Sequence, residues 1–591
     1  MKKTINNVMV SVATVNGSGS QSANLIIHRS LFRMGLPVSG KNLFPSNIAG
    51  LPTWFLIRVT EEGYNAPADE INISILMNAE TWDDDLDKLK KGSVVICNSD
   101  LGKKVERDDL IVYEVPCSSI ARKVDTKLAK LITNTVYVGV LAEVIGLEEE
   151  AIVDALSHQF NRKQKAIDLN LKAIGEGRKY IQENYKKDQP WKVERRDLTK
   201  DKMIIEGNQA GALGSVFGGV TFLSWYPITP SSSLAENLIS YLKETREYVD
   251  GVKTYAVVQA EDELAAAGMV FGAGWAGSRS MTTTSGAGIS LMTEFIGLGY
   301  YAEIPGVFWN IQRVGPSTGL PTRTQQSDIN FCYKLGHGDS THPVLLPATP
   351  SECFEFGWKS FDITERFQTP VFVLSDLDLG MNPWIVDDFK YPDKPLDRGK
   401  ILKKEDLEKL ESWGRYRDVD GDGIGYRTLP GTDHKNASYF TRGSGHDENA
   451  AYTEDNEAYA RNMKRLAKKH EGLRSKLPQP IIEHSTNSEI GLVSFGTVHA
   501  SMQETIDLLE KEKIKVDYLR IKSLPLSSKV HDFIKKHKKS FVIEQNRDAQ
   551  MFNLIKEEST AENIKKLCSY AYSDGMPLSA SKITKNIKEN L

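Results

Sequence analysis

The sequence contains few cysteines and no closely spaced pair of them. Its five cysteines are Cys97, Cys117, Cys332, Cys353 and Cys568. The absence of a Cys-x-x-Cys spacing excludes a disulfide framework and a zinc or iron–sulfur ligand set. We therefore expect a cytoplasmic protein that binds no metal itself, and any iron–sulfur cluster that it works with is expected on another chain.

Long hydrophobic runs and an excess of one charge are also lacking. No apolar stretch reaches the roughly 20 residues that a membrane span needs, and the most apolar segment, 291–311, contains Glu294 and Glu303. The short apolar run near the N-terminus is interpreted as a buried strand rather than a signal peptide. Lys and Arg number 74 against 78 Asp and Glu, a net charge of −4. We therefore predict that the protein binds neither membranes nor nucleic acid.

What is present is a repeated alternation of strands and helices. A length of 591 residues predicts three or four domains. We divide the chain into an α/β domain with a helical exit (1–190), a second α/β domain (191–380), a connecting arm (381–479) and a C-terminal α/β domain (480–591). Because continuous apolar strands alternate with helices, we predict several doubly wound domains with mostly parallel sheets.

Two local patterns predict helix boundaries. Ser233 and Glu236 have the spacing of a capping box, which predicts a helix beginning at that serine. The charged stretch from Ile152 to about Lys187 is interpreted as the helical exit of the first domain.

Four polar segments follow four predicted strands of the second domain. Tyr226–Ser233 places hydroxyls at a helix N-terminus, where an anion is favoured, and Glu261–Glu263 places carboxylates at a strand end. Thr282–Gly288 is a glycine loop, and Gln312–Thr322 contains Arg313, whose guanidinium suits a carboxylate. Because ligands of parallel sheets bind beyond the C-terminal ends of the strands, we predict that the four segments line one site.

These segments, in this order, resemble the pyrimidine-binding domain of the α subunit of 2-oxoacid:acceptor (ferredoxin) oxidoreductases. The segment Phe44–Trp54 resembles the γ domain that is fused to α in this family, and Val542–Gln550 resembles the family's last, transketolase-C-like domain. The resemblance covers nearly the whole chain. The glycine loop at 16–22, NGSGSQS, departs from the family's commoner Gly-Gln-Gly form and leaves the ligand of the γ domain open.

The resemblance implies a thiamine-diphosphate-dependent oxidative decarboxylation of a 2-oxoacid, 2-oxoglutarate being favoured, to acyl-CoA and CO₂. Matching the family's motifs makes Glu263 the carboxylate partner of the cofactor's ring nitrogen, with Glu261 as runner-up. Thr229 and Arg313 are matched to the residues that hold the substrate's carboxylate. The residues matched to cofactor contacts are Tyr226, Pro227, Ser285, Gly286 and Gly288.

The resemblance also implies a partner, because a diphosphate-binding half is not recognisable in the sequence. Gly421–Gly423 followed by Asn449 imitates the Gly-Asp-Gly…Asn signature of that half, but no buried strand precedes either element. A β subunit is expected to supply that half with Mg²⁺ and a [4Fe-4S] cluster, in an αβ heterodimer or its dimer that reduces ferredoxin. The alternative hypothesis is a non-catalytic binding or scaffold protein with a degenerate pyrimidine-type domain.

Overall fold

The structure is a computed structural model that describes residues 3–45, 50–186, 188–246 and 248–591. Residues 46–49 of the γ-like segment Phe44–Trp54 and the predicted helix end at Lys187 lie outside the described residues.

The first domain is a mixed sheet covered by helices. Its sheet has the strand order β3-β4-β2-β5-β6-β7, with β2 antiparallel to β4 and parallel to β5. Apolar side chains of β2 are buried on both faces because helices and loops cover both sides of the sheet. Its elements are β1 (Thr4–Ile5), β2 (Val8–Val15), α1 (Ser20–Arg33), β3 (Val38–Leu43), β4 (Pro52–Val59), β5 (Ile73–Leu76), α2 (Trp82–Asp87), β6 (Val94–Asn98), β7 (Ile111–Val115), α3 (Cys117–Val124), α4 (Ala129–Ile145), α5 (Glu149–Gln159), α6 (Gln164–Asn184) and β8 (Trp191–Lys192).

The helical exit differs from the single stretch that the charge pattern indicated. It divides into α5 and α6, because Asn161 and Arg162 between them adopt left-handed φ angles of 47° and 59°. The preceding helix, α4, is buried along most of its length against α6 and the sheet. Its nearly continuous apolar sequence lacks the amphipathic period by which a surface helix is recognised.

The central domain contains the sheet that carries the predicted site segments. Strands β13-β10-β14-β15-β17-β16 lie side by side in this order and are all parallel. The elements are β9 (Lys202–Ile205), α7 (Gly207–Phe217), β10 (Phe222–Trp225), α8 (Ser232–Thr245), β11 (Tyr248–Val249), β12 (Val252–Lys253), β13 (Ala256–Gln259), α9 (Glu263–Trp275), β14 (Ser280–Thr284), α10 (Gly286–Tyr301), β15 (Gly306–Gln312), α11 (Ile329–Tyr333), β16 (Val344–Leu345), α12 (Pro350–Phe367), β17 (Pro370–Asp376) and α13 (Leu377–Met381).

The capping box predicted for α8 is wrong. The helix begins at Ser232 with Ser231 as its N-cap residue, and no side chain caps it. The Ser233 hydroxyl instead accepts a hydrogen bond of 2.8 Å from the Asn208 amide of α7. Packing of α7 against α8 therefore decides the role of this serine, while Leu234 and Leu238 are fully buried on the expected face.

The remaining residues comprise an irregular segment and a last α/β sheet. That sheet has the order β19-β21-β20-β23-β24, and all its pairings are parallel except β19 with β21. Strand β22 leaves this region and pairs antiparallel with β16, so it extends the central sheet. The elements are β18 (Trp384–Asp387), α14 (Lys404–Leu407), α15 (Asn456–Leu473), β19 (Ile481–His484), β20 (Ile490–Phe495), α16 (His499–Lys511), β21 (Asp517–Ile521), β22 (Ser523–Leu524), α17 (Ser528–Lys536), β23 (Lys539–Glu544), α18 (Gln550–Glu557), α19 (Ala561–Ile564), β24 (Leu567–Ala571) and α20 (Ala580–Glu589).

The predicted class, α/β with mostly parallel sheets, is confirmed by these pairings. Within the described ranges, no single helix has the length and hydropathy of a membrane span; α3 and α4, bent by 117° at their junction, meet those two criteria only as a pair.

A buried ion cluster fixes α15 to the central domain. Glu303, which follows α10, accepts hydrogen bonds from Lys469 Nζ at 2.7 Å and Arg465 Nη1 at 3.1 Å. The Glu303 and Lys469 side chains are both 0% exposed. Burial favours a raised pKa for Glu303, but the two cations outweigh it and hold this pKa well below its usual range.

Replacing Glu303 with Gln should weaken the attachment of α15, because two buried cations would lose their counter-charge. Breaking a buried pair in this way costs about 3–5 kcal/mol. We expect a lower apparent melting temperature and faster proteolysis between residues 400 and 475. The control is Glu294→Gln on the exposed face of α10; equal melting temperatures for both variants would contradict the prediction.

Candidate active site

The four predicted site segments leave the central sheet at one edge. Strands β13, β10, β14 and β15 are consecutive neighbours and parallel, so their C-terminal ends point the same way. Each of the four segments begins within a few residues of one of these ends. The register of the sheet therefore brings together segments that are far apart in the sequence.

Glu263 is the first residue of α9 and is only 7% exposed. The helix is capped by Asp262, whose carboxylate accepts a hydrogen bond of 2.7 Å from the Ala265 amide. The neighbouring runner-up, Glu261, is exposed to solvent. Within the described chain no group donates a hydrogen bond to the Glu263 carboxylate, so it is a buried acid with unused acceptor capacity.

The glycine loop between β14 and α10 contacts this acid. A Cβ atom on Gly288 would overlap the Thr284 hydroxyl and lie 2.8 Å from Glu263 Cγ. A side chain at this position would therefore displace the Glu263 carboxylate. Ser285, the N-cap residue of α10, is fully buried, and its hydroxyl does not cap the helix.

Arg313 lies at the end of β15 and reaches the segment that follows β10. Its Nη1 atom donates a hydrogen bond of 2.6 Å to the Thr229 carbonyl. Burial lowers the pKa of Arg313, and the charge of Asp328 opposes this change. A hydrogen bond therefore connects Thr229 and Arg313, the two residues that the family motifs match to binding of the substrate's carboxylate. Tyr226 and Pro227, from the same segment, are exposed at the rim, and Tyr226 is 37% exposed.

Sequence reasoning missed two polar residues of this region. Asn310, inside β15, donates a hydrogen bond of 3.0 Å to the carboxylate of Asp328, which lies 15 positions after Arg313. A Cβ atom on Gly286 would lie 2.5 Å from Asp328 Oδ2. Asp328 follows a long irregular loop rather than a strand, so no periodic pattern distinguishes it. Close contacts therefore connect Glu263 with the glycine loop and this loop with Asp328, which Asn310 and Gln312 tie to the strand that precedes Arg313.

Several buried polar atoms around the ends of β14 and β15 have no hydrogen-bond partner among the described residues. They are Thr282 Oγ1, Thr283 Oγ1, Ser285 Oγ and Asn310 Oδ1. Buried polar atoms are rarely left unpaired in native proteins, so a water molecule or a ligand is expected to supply the missing partners. Thr282 and Thr283 are neighbours in β14 and point to opposite faces of the sheet, so only one of the two can face the site.

Comparison with known proteins identifies the family. Residues 214–384 match the family model described as pyruvate flavodoxin/ferredoxin oxidoreductase, thiamine diphosphate-binding, and residues 9–180 match that described as pyruvate ferredoxin/flavodoxin oxidoreductase. The 2-oxoglutarate synthase subunit KorA of Methanothermobacter thermautotrophicus is 33% identical over 326 residues, which cover 54% of this chain and 81% of the relative. The chain belongs to the α-subunit family of 2-oxoacid:ferredoxin oxidoreductases.

Other members of this oxidoreductase family match nearly the whole chain. The α subunit of 2-oxoacid:ferredoxin oxidoreductase 2 of Aeropyrum pernix is 27% identical over 97% of this chain and 96% of its own length. The structure of a 2-oxoglutarate:ferredoxin oxidoreductase from Magnetococcus marinus, with 2-oxoglutarate, coenzyme A and succinyl-CoA bound, superposes with a TM-score of 0.88 at 28% identity and covers 99% of both chains. The resemblance inferred from the sequence motifs is thereby confirmed, and so is membership of an enzyme family.

The residues at this edge fit the thiamine group that the family binds. A buried carboxylate, an adjacent glycine cradle and unpaired hydroxyls offer hydrogen bonding and close approach to a flat polar ring. Among the described residues, no group of three or more His, Cys, Asp or Glu side chains is arranged to hold a metal ion.

In the assembled complex of this 2-oxoacid oxidoreductase, substituting Gly288 with Ala should abolish cofactor binding, because the added methyl group would push Glu263 and Thr284 out of place. The matched control is Gly297→Ala in the same helix, where a Cβ atom would meet no atom within 4 Å. That control should retain activity and gain up to about 1 kcal/mol of helix stability. Titration with thiamine diphosphate and thermal unfolding measure both effects; normal binding by the Gly288 variant would contradict the steric argument.

Proposed function

We propose that this chain is the catalytic α subunit of a CoA-dependent oxidoreductase that oxidatively decarboxylates a 2-oxoacid, with 2-oxoglutarate as the favoured substrate. The products are an acyl-CoA and CO₂. Electrons pass to a [4Fe-4S] cluster on a β subunit and then to ferredoxin. That β subunit also supplies the Mg²⁺ and diphosphate-binding half of the cofactor site.

One observation carries the proposal: a buried acid, a glycine loop and a guanidinium converge at one edge of a parallel sheet. Glu263 lies against Gly288, and Arg313 is held by the Thr229 carbonyl within the same set of loops. This combination offers a proton-exchanging group and an anion-binding group around one ligand position. The names of the relatives support the substrate class, and two of them support 2-oxoglutarate.

Each residue of this site has a proposed role. When bound, thiamine diphosphate supplies the carbon nucleophile and the electron sink for the decarboxylation. Glu263 exchanges a proton with the cofactor's ring nitrogen, while Ser285, Gly286 and Gly288 line the cofactor. Arg313 and the Thr229 hydroxyl bind the substrate carboxylate. Tyr226 and Pro227 contact the cofactor at the exposed edge of the site.

An apolar surface beside the site supports the requirement for a β subunit. Leu264 on α9 is 41% exposed and Leu291 on α10 is 51% exposed, both near the N-terminal ends of their helices. We take these two leucines as the apolar surface that a β subunit would cover, because removing exposed apolar area from water is favourable. An αβ heterodimer, or a dimer of it, would bury this surface and complete the site.

The remaining parts of the chain have supporting roles in this proposal. Residues 1–190 form the γ-type domain, 191–380 the pyrimidine-binding domain, 381–479 a connecting arm and 480–591 the C-terminal domain. A cytoplasmic location is supported by the free thiols of all five cysteines. The scaffold alternative is not favoured, because it leaves the buried acid and the guanidinium without a purpose.

The decisive experiment is to isolate the complex with its partner and assay CoA-dependent dye reduction. Pyruvate, 2-oxoglutarate, a branched-chain oxoacid and an aryl oxoacid form the panel. We expect reduction that requires both the oxoacid and CoA, with the highest kcat/KM for 2-oxoglutarate. A complex that reduces dye with none of the four would refute the proposed function, whereas preference for another oxoacid would refute only the substrate.

Glu263→Gln should lower kcat by about 10²–10⁴-fold, the usual contribution of a positioned acid–base group. The amide has nearly the same shape, so the complex should assemble and melt normally. Glu261→Gln is the matched control, because this neighbour is exposed. Near-normal turnover in the Glu263 variant, or a greater loss in the Glu261 variant, would remove the assignment.

Arg313→Met should raise the KM for the oxoacid by about 10–100-fold, since a hydrogen bond between charged groups is lost. The KM for CoA should change little. Arg547→Met serves as a control, because Arg547 is 87% exposed and pairs with Asp548 at the surface. Steady-state kinetics on the assembled complex separate the two constants; an unchanged oxoacid KM would exclude Arg313 from substrate binding.

A further inference from the structure

Asp328 is a partly buried acid for which the proposed reaction has so far no role. It precedes α11 as its N-cap residue, yet its side chain does not cap that helix. Its carboxylate instead accepts the hydrogen bond from Asn310 Nδ2 at 3.0 Å, and its own backbone N–H donates to Gln312 Oε1 at 3.0 Å. Two side chains of β15 therefore hold this residue against the end of the strand, directly before Arg313.

The carboxylate of Asp328 is directed toward the glycine loop. The ideal Cβ position of Gly286 lies 2.5 Å from Oδ2 and 3.0 Å from Oδ1 of this carboxylate. Gly286 is the first residue of α10, where the backbone N–H groups have no partner inside the helix and favour negative charge. A side chain larger than hydrogen at Gly286 would separate the loop from the acid.

The charge of Asp328 also acts on Arg313. Burial raises the pKa of Asp328, while the hydrogen bond from Asn310 and the positive charge of Arg313 oppose that rise. Arg313 itself donates its hydrogen bond to the Thr229 carbonyl, so the geometric link between Asp328 and this guanidinium runs through Asn310 and Gln312 of β15.

Residues of the C-terminal domain form hydrogen bonds with the segments on both sides of Asp328. Gln550 Nε2 donates to the Ser327 carbonyl at 2.6 Å, and Gln550 Oε1 accepts from the Asn330 backbone N–H at 3.0 Å. Asn546 Nδ2 donates to the Gln326 carbonyl at 3.0 Å. The residues on both sides of Asp328 are thus tied to another domain, so its backbone has little freedom to move.

We propose that Asp328 is a positioning residue of the oxoacid site: its contacts with Asn310, Gln312 and the start of α10 hold the end of β15, and with it Arg313, in the arrangement that binds the substrate's carboxylate. This inference rests on the proposed function, since it assigns Arg313 to the oxoacid. Asp328 acts through the end of β15 and the glycine loop and does not itself contact the substrate. Gln550 contributes by fixing the backbone around it.

The test compares Asp328→Ala and Asp328→Asn in the assembled complex. The alanine variant should raise the oxoacid KM about tenfold or more with a much smaller change in kcat, because Arg313 would no longer be aligned with the carboxylate of the bound substrate. The asparagine variant keeps the shape and the contact with Asn310 but not the charge, so it should show an intermediate KM. The dissociation constant of a non-reactive analogue, N-oxalylglycine or oxamate, measured by calorimetry, should rise in the same order.

A merely structural role would give a different result. In that case both variants would melt at lower temperature with unchanged KM and analogue affinity, and the inference would be overturned. Asp85→Asn is the matched control: Asp85 is a buried acid of the first domain that accepts a hydrogen bond of 3.0 Å from Trp54 Nε1. The Asp85→Asn substitution should lower the melting temperature and leave the oxoacid KM and the analogue affinity unchanged.

Gln550→Ala provides an independent check. Alone it should raise the oxoacid KM in the same direction but by less than Asp328→Ala, and in the double variant the two effects should be less than additive. Additive effects would overturn the part assigned to Gln550. An unmodified complex that neither reduces dye with any oxoacid nor binds the analogue would refute the proposed function and this inference with it, whereas an active complex with indifferent variants would refute the inference alone.

Discussion

The parallel pairing of β10, β13, β14 and β15 is the constraint on which the site depends. Backbone hydrogen bonds fix these strands in register, so four loops from distant parts of the sequence leave the sheet at the same edge. None of the four loops contains both the acid and the guanidinium. Their combination exists only because the crossover helices α9 and α10 return the chain to the same side of the sheet each time.

At this edge, helix N-termini stabilise the negative charges as much as pairing with other side chains does. Glu263 begins α9, and Asp328 faces the first residue of α10, so both carboxyl groups lie where helix N-termini favour negative charge. Arg313 supplies the positive charge among the side chains that link the two. Such an arrangement places a buried acid, Glu263, and a partly buried acid, Asp328, at one edge of the sheet, and neither forms an ion pair with a described residue.

The sequence alone predicts the parts of this site that follow strands directly. Glu263 and Arg313 each lie within a few residues of the C-terminal end of a predicted strand, and the topology of parallel sheets then places both residues at the same edge of the sheet. Asp328 could not be found in this way, because the loop between it and β15 has no period and its path depends on contacts with Gln550 and Asn546. The misassigned cap at Ser233 has the same origin, since a neighbouring helix engages its hydroxyl.

The pairing of β22 with β16 determines when the central sheet can be completed during synthesis of the chain. The outer edge of the central sheet is covered by residues 523–524, which a ribosome releases long after β17. Until then β16 presents an open strand edge, the kind of surface at which nascent chains associate wrongly. Assembly of the central sheet is therefore tied to the emergence of the last domain, and a nascent chain halted before β22 would carry the candidate site residues on an unfinished sheet.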